Sequence, residues 1–198
     1  MPKSEQADLF TAATPALPPG LVYEQDFLQP DEERSLVAAV QALDLREMRY
    51  LQYTAKRRVA SFGGSYDFSA QRLRDADPLP AAFEPLRARA AAWAGVAAEA
   101  FTQALIAEYR PGTPLGWHRD VPDFEDVVGI SLLNPGVMRL RPYPPLQPKR
   151  ADVVKLELAP RSIYLLRGPA RWAWQHSISP TRELRYSITL RTARAAGR

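Results

Sequence analysis

The chain has 198 residues, 46% apolar and 24% charged, which is enough for one domain with a sizeable core. It has no cysteine, which excludes a disulfide scaffold, a thiolate metal site and a cysteine nucleophile, so any metal must be held by histidine and carboxylate. The net charge is +4, with 22 arginines against 4 lysines, a balance compatible with a nucleic-acid partner and equally with biased arginine usage.

Residues 1–20, which end in PALPPG, read as a flexible tail ahead of one domain over 21–198. This stretch lacks the basic and apolar regions of a signal peptide, and no run of 18 apolar residues follows, so a cytoplasmic monomer off the membrane is expected. LVYEQDFL (21–28) predicts a first strand. PDEERSLVAAVQALDL (30–45) predicts a helix. Pro30 and Asp31 mark its start, acids fill its first turn, and Leu36, Val37, Val40 and Leu43 form one apolar stripe.

MRYLQYTAKRRVASFGGSYDF (48–68) interleaves aromatic and basic residues, and Gly63-Gly64 marks a tight turn. A second helix is expected over 78–94, with Phe83, Leu86, Ala90 and Trp93 on one side. From residue 103 onward the pattern turns to short apolar runs separated by Pro, Gly and polar segments. These are QALIAEY, DVVGISLL, VMRLR, DVVKLEL, SIYLLR, WAWQHSI and RYSITLR. Such spacing predicts an α+β chain, two N-terminal helices supporting a β-barrel or jelly roll.

The chain has only two histidines. In PLGWHRDVP, His118 and Asp120 are two apart, so in an extended segment they share a face and can act as paired metal ligands. The same residues also fit a charge cluster on a surface turn. In ARWAWQHSI, Trp172, Trp174 and His176 alternate onto one face, which brings His176 near His118 if that face points inward. Two histidines and a carboxylate on one side of a metal, with positions left open opposite, is the donor set of non-haem iron oxygenases. A buried structural histidine fits the alternation as well. In RYSITLR, Arg185, Ser187, Thr189 and Arg191 share a face, with the two arginines roughly 20 Å apart along the strand. Leaning together, they can hold a small dicarboxylate at both ends. Arg161 and Arg167 have the same spacing, but only Arg185 and Arg191 follow His176 on the next strand.

Taken in order, EYRPGTPLGWHRD, VVGISLL, SIYLLRGPARWAWQHSI and RYSITLR, with RRVASFGGSYDF upstream, resemble the AlkB-like family of iron(II)- and 2-oxoglutarate-dependent dioxygenases over residues 20–192. The resemblance implies a double-stranded β-helix, a jelly-roll barrel over about 103–192, with a nucleotide-recognition lid over about 46–70. It implies Fe(II) held by His118, Asp120 and His176, with 2-oxoglutarate and O2 as cosubstrates. Arg185 and Arg191 carry over as 2-oxoglutarate contacts, Tyr109 matches a family tyrosine on the same molecule, and Ser187 takes a cosubstrate-side position that is often Asn. Two departures stand out: Ala107 replaces an Asn of the DNA-repair members, and Pro122 replaces an Asp that touches the base.

The implied activity is oxidative demethylation of alkylated bases in DNA or RNA, with release of formaldehyde, succinate and CO2. In the lid, Lys56, Arg57 and Arg58 are candidates to meet phosphates, and Phe62, Tyr66 and Phe68 to stack on bases, beside the alternative of a basic hairpin packed on the barrel. Trp117 faces away from His118 and is expected in the core. Pro122 keeps a second target open: a modified tRNA base, a protein side chain or a small molecule. A binding module with an idle metal site is the non-enzymatic alternative.

Overall fold

The computed structural model describes residues 16–50, 53–67, 72–145 and 153–195. Phe68 and residues 1–15 of the expected tail lie outside the described residues. Residues 18–20, placed at the end of that tail, are docked instead: Ala170 N–H donates to the Pro19 carbonyl (2.9 Å) and Arg167 N–H to the Gly20 carbonyl (3.0 Å).

The strands build two main sheets, in which every pairing is antiparallel. The larger contains β1 (Leu21–Glu24), β2 (Arg46–Tyr50), β3 (Tyr53–Phe62), β6 (Phe101–Tyr109), β8 (Phe124–Leu132), β11 (Ile163–Leu166) and β13 (Arg185–Ala193), in the order β1-β11-β8-β13-β6-β3-β2. The smaller contains β7 (Leu115–His118), β9 (Gly136–Pro142), β10 (Val154–Leu158) and β12 (Trp174–Ile178), in the order β10-β9-β12-β7. A separate ribbon pairs β4 (Gly64–Asp67) with β5 (Arg72–Asp75). The expected α+β class and barrel are present, but the barrel recruits the N-terminal strands β1, β2 and β3. Within the segment expected as a lid, β2 and β3 pair with each other at the edge of the large sheet, and β3 pairs with β6.

Period-2 alternation sorts the large sheet into two buried faces. One face carries Ala104, Ile106, Val128, Ile130, Tyr186 and Ile188, and packs against the two long helices. The other carries Ala107, Tyr109 and Val127, and meets Met138, Leu140, Leu156 and Leu158 of the small sheet. The inward row of β13 is polar: Arg185, Ser187, Thr189 and Arg191. Polar groups buried without partners are costly, so such a row marks a place built for a polar ligand.

Helix α1 (Pro30–Gln41) starts as predicted and buries Leu36 and Val40. Its acidic first turn is held by the Glu32 carboxylate, which accepts the Gln29 N–H at 2.7 Å. The second helix, α2 (Glu84–Ala94), begins later than expected, after a single 3-10 turn over Ala81–Phe83. Pro78 and Pro80 disfavour helical backbone at the residues before them. Gly63 adopts φ +72° at the expected turn between β3 and β4, a conformation that disfavours residues with a Cβ.

The alternation expected for WAWQHSI is corrected at its first residue. Trp172 ends a helical turn, α3 (Pro169–Trp172), closed by the Ala173 N–H donating to the Pro169 carbonyl at 2.8 Å. Pro169 suits the first position of such a turn, so the strand begins only at Trp174. No helix among the described residues is long and apolar enough to cross a membrane.

Candidate metal centre and cosubstrate pocket

Strand register places the two histidines side by side. In the β7–β12 pairing His118 lies opposite His176, with ring centroids 4.3 Å apart. Asp120, two residues past His118, approaches His176 Nε2 to 3.6 Å through Oδ2. One ligand atom from each of the three residues lies within 4.8 Å of the others.

Each group is set in a ligating state. His118 Nδ1 lies 2.9 Å from the Gly116 carbonyl, which can only accept, so Nδ1 carries the proton and Nε2 keeps its lone pair. Burial pushes the His118 imidazole down and the His176 imidazole down to about 3, the repulsion that two protonated rings would feel adding to the effect at His176. Burial alone would raise the Asp120 carboxyl. The guanidinium of Arg191 foremost, with Arg171 and the two histidine rings beside it, instead holds it well below the usual carboxylate range. Asp120 Oδ1 accepts from Arg191 Nε (2.7 Å) and Nη2 (2.6 Å), whereas buried Oδ2 has no hydrogen-bond partner. Two neutral imidazoles and an unpartnered carboxylate oxygen suit a divalent iron.

The neighbouring pocket has the same character. Arg185 is 1% exposed, donates from Nε to Ser131 Oγ (2.9 Å) and lies over the Tyr109 ring. Its Nη1 is buried without a partner. A buried guanidinium with an open donor suits the far carboxylate of a dicarboxylate such as 2-oxoglutarate. Ser187 lies on the same inner face, and Arg191 reaches Gln103 Oε1 (2.7 Å) as well as Asp120. Arg161 and Arg167 lie elsewhere, paired with Asp26 and Asp126 at 2.7 and 2.6 Å.

Two residues here escaped sequence reading. Tyr164 crosses β8 at Gly129, where a Cβ would collide with its ring, and its charge environment includes Asp120, Arg185 and Tyr109. Alternation in SIYLLR gives it a face, but only the register shows that face to be the pocket. Arg171 is 2% exposed and donates to the carbonyls of Asp120 (3.2 Å), Val121 (2.7 Å) and Phe124 (2.9 Å), which pins the loop that carries Asp120. Nothing local to GPAR signals this role.

The candidate substrate residues separate. Arg57 and Val59 alternate onto the inner face of β3, Val59 opposite Ala107, and the charge of Arg57 is felt at His118. Arg58 is committed on the other face, to Glu108 (3.2 Å) and the Leu45 carbonyl (3.0 Å). Phe62 packs into the helix-side core, so neither Arg58 nor Phe62 faces the pocket. The side chains of Lys56 and Tyr66 lie outside the described residues. Trp117, expected in the core, is only half-buried and lies under Arg139 and Arg141.

Residues 20–194 match the family described as the 2OG-Fe(II) oxygenase superfamily. Among similar curated proteins, "Alkylated DNA repair protein ALKBH8 homolog" of Arabidopsis thaliana is 32% identical over 181 residues, covering 81% of this chain and 51% of that protein. "tRNA (carboxymethyluridine(34)-5-O)-methyltransferase alkbh8" of Xenopus tropicalis is 28% identical over 173 residues, covering 84% of this chain and 26% of that protein. The chain thus spans about a quarter to a half of the length of these relatives. Two solved structures share the fold at 16% identity. That of OsALKBH1 has a TM-score of 0.69 and covers 89% of this chain and 98% of that one; a Pseudomonas putida prolyl-4-hydroxylase has a TM-score of 0.61 and covers 88% and 93%. The superfamily's cofactor set is Fe(II), 2-oxoglutarate and O2, which the His-Asp-His donors fit. The chain belongs to the 2OG-Fe(II) oxygenase superfamily, on its AlkB-like side.

Proposed function

We propose that this protein is an iron(II)- and 2-oxoglutarate-dependent dioxygenase that demethylates alkylated bases in DNA or RNA. The observation that carries the reading is the inner-face cluster of His118, Asp120 and His176 beside buried Arg185.

His118 Nε2, His176 and Asp120 Oδ2 hold the iron, and Arg191 keeps Asp120 turned toward it through Oδ1. Arg185 Nη1, flanked by Tyr109, receives the far carboxylate of 2-oxoglutarate, and Ser187 and Arg191 line the rest of its path. Iron and 2-oxoglutarate, with O2, supply the oxidising power that hydroxylates a C–H bond while succinate and CO2 are released. On an N-methyl group the hydroxylated product sheds formaldehyde. The protein orients the substrate and excludes water. Arg57, on the inner face of β3 without a hydrogen-bond partner for buried Nε, is the phosphate contact. The base must be unstacked to reach the iron.

The test is a panel of methylated single-stranded oligonucleotides, DNA and RNA, supplied with iron, 2-oxoglutarate and ascorbate. Formaldehyde and succinate should form in equal amounts from at least one N-methylated base. The name of the Xenopus tropicalis relative, which specifies tRNA, and the presence of Pro122 favour a second reading, hydroxylation of a modified tRNA base. Succinate formed with a modified tRNA, without formaldehyde from any methylated base, would select it.

A further inference from the structure

The small sheet has a second functional face. His118 and His176 point inward, and the alternate residues of the same strands point outward. The outward side aligns Trp117 on β7, Gln175 and Ser177 on β12, and Arg139 and Arg141 on β9. Both guanidiniums reach across β12 to the Trp117 ring, Arg141 at 4.3 Å and Arg139 at 5.1 Å from its centroid. Gln175 Oε1 accepts from Arg141 Nε (3.0 Å) and Nη2 (2.9 Å), and Ser177 Oγ accepts from Arg139 Nε (3.0 Å). Just past β7, Arg119 stacks 3.8 Å over Tyr143, which directly follows β9. Three cations and two aromatic rings thus form one band running toward the metal site.

The charge in this band is uncompensated. Arg58, Arg161, Arg167 and Arg191 each face a carboxylate, but among the described residues Arg119, Arg139 and Arg141 form no such ion pair. The outward carboxylate described on this sheet, Glu157, lies on the adjacent edge strand β10 opposite Val137 and makes no ion pair with Arg139, which Lys155 faces directly. Like charges gathered without counter-anions repel. Each cation–π contact offsets roughly 0.5–2 kcal/mol and also fixes the guanidinium planes. Among the described residues the Nη groups of Arg139 and Nη1 of Arg141 have no protein acceptor, and a fixed guanidinium edge matches a phosphate. From Arg139 to Tyr143 the band spans roughly 13 Å, room for more than one phosphate. Trp117 and His118 are consecutive on opposite faces of edge strand β7, so a chain crossing that edge passes from the band to the iron ligands.

We propose that Arg119, Arg139 and Arg141, clamped by Trp117 and Tyr143, bind the sugar–phosphate backbone of a single-stranded nucleic acid next to the nucleotide presented to the metal site. This rests on the nucleic-acid reading above. The anion is a phosphodiester chain, because the cations form a line and the aromatic rings between them suit sugars and bases.

The test is fluorescence anisotropy of the full chain with unmodified labelled 12-mer RNA and DNA, titrated between 50 and 200 mM salt. R139Q/R141Q should weaken binding at least tenfold regardless of sequence and lower the slope of log affinity against log salt by about two. Its melting temperature and Mn(II) affinity should match wild type. R34Q/R182Q, which removes the same charge from exposed positions elsewhere, should keep the wild-type slope. Equal behaviour of the two double variants overturns the band and leaves the nucleic-acid reading standing, as does weakened binding with an unchanged salt slope. A wild-type protein that binds no oligonucleotide but an acidic protein instead overturns both.

Discussion

Arg191 holds one oxygen of Asp120 and leaves the other open. Its Nε and Nη2 lie 2.7 and 2.6 Å from Oδ1, while Oδ2 is buried and points toward His176. The pair therefore aims the carboxylate as well as neutralising it.

Arg191→Met tests this. Removing one partner of a buried ion pair typically costs about 3–5 kcal/mol, because the remaining charge is left uncompensated. The metal-free variant should melt well below wild type. Saturation with Mn(II) and 2-oxoglutarate should recover part of that loss, since the metal supplies the missing positive charge. An equal loss with and without Mn(II) would show that Arg191 supports the fold and not the carboxylate.

His176→Ala should abolish Mn(II) binding and turnover while circular dichroism stays close to wild type. It should also flatten the acid side of the stability curve. The folded-state pKa of His176 lies near 3, against about 6.5 for the unfolded chain. Between those values the unfolded state binds the proton and the folded state does not, so metal-free wild type loses stability as pH falls through that window. Denaturant melts from pH 7 to 4 measure the slope, and the variant should lose less.

Arg185 and Arg161 make a matched pair of opposite expectation. Losing a charge-assisted contact in a closed pocket costs a few kcal/mol, so Arg185→Ala should raise the 2-oxoglutarate requirement roughly a hundredfold or more. Arg161 pairs with Asp26 at the barrel end, and Arg161→Ala should change that requirement little. Titration with 2-oxoglutarate distinguishes them, and the reverse ranking would remove Arg185 from the pocket.

Gly129 and Tyr164 should behave as one unit. A methyl at Gly129 overlaps the Tyr164 ring, and overpacking of this kind typically costs about 1–3 kcal/mol. Gly129→Ala should also weaken 2-oxoglutarate binding by displacing the phenol beside Arg185. Adding Tyr164→Ala should relieve the clash, so the double variant should be more stable than the sum of the single effects implies. Strict additivity in melting experiments would show that the ring does not occupy that space.

Alternation put His118 with Asp120, and Arg185 with Ser187 and Arg191, each on one strand face, while the resemblance to AlkB-like dioxygenases marked them as candidate iron and 2-oxoglutarate contacts. The period of two gave Arg185, Ser187 and Arg191 a common face, and the pairing of β13 with β6 and β8 turns that face inward. Trp172 was misread because a Gly-Pro turn ran on into helix before the strand began. Arg58 and Phe62 were misread for another reason: YTAKRRVASF has basic residues on both faces, and only the pairing of Val59 with Ala107 shows which face points inward.

By itself the sequence determined the donor types, their order and the alternation of each strand, since these follow from residue chemistry and backbone geometry within a few positions. Only the tertiary structure decided that Arg58, Arg161, Arg167 and Arg191 meet carboxylates while Arg185 keeps a buried donor open. It also decided that Tyr164 enters the pocket, that Arg171 pins the Asp120 loop, and that Arg119, Arg139 and Arg141 gather around Trp117 and Tyr143. Those relations depend on register between strands far apart in the chain, and short-range periodicity carries no information about which distant strand becomes a neighbour.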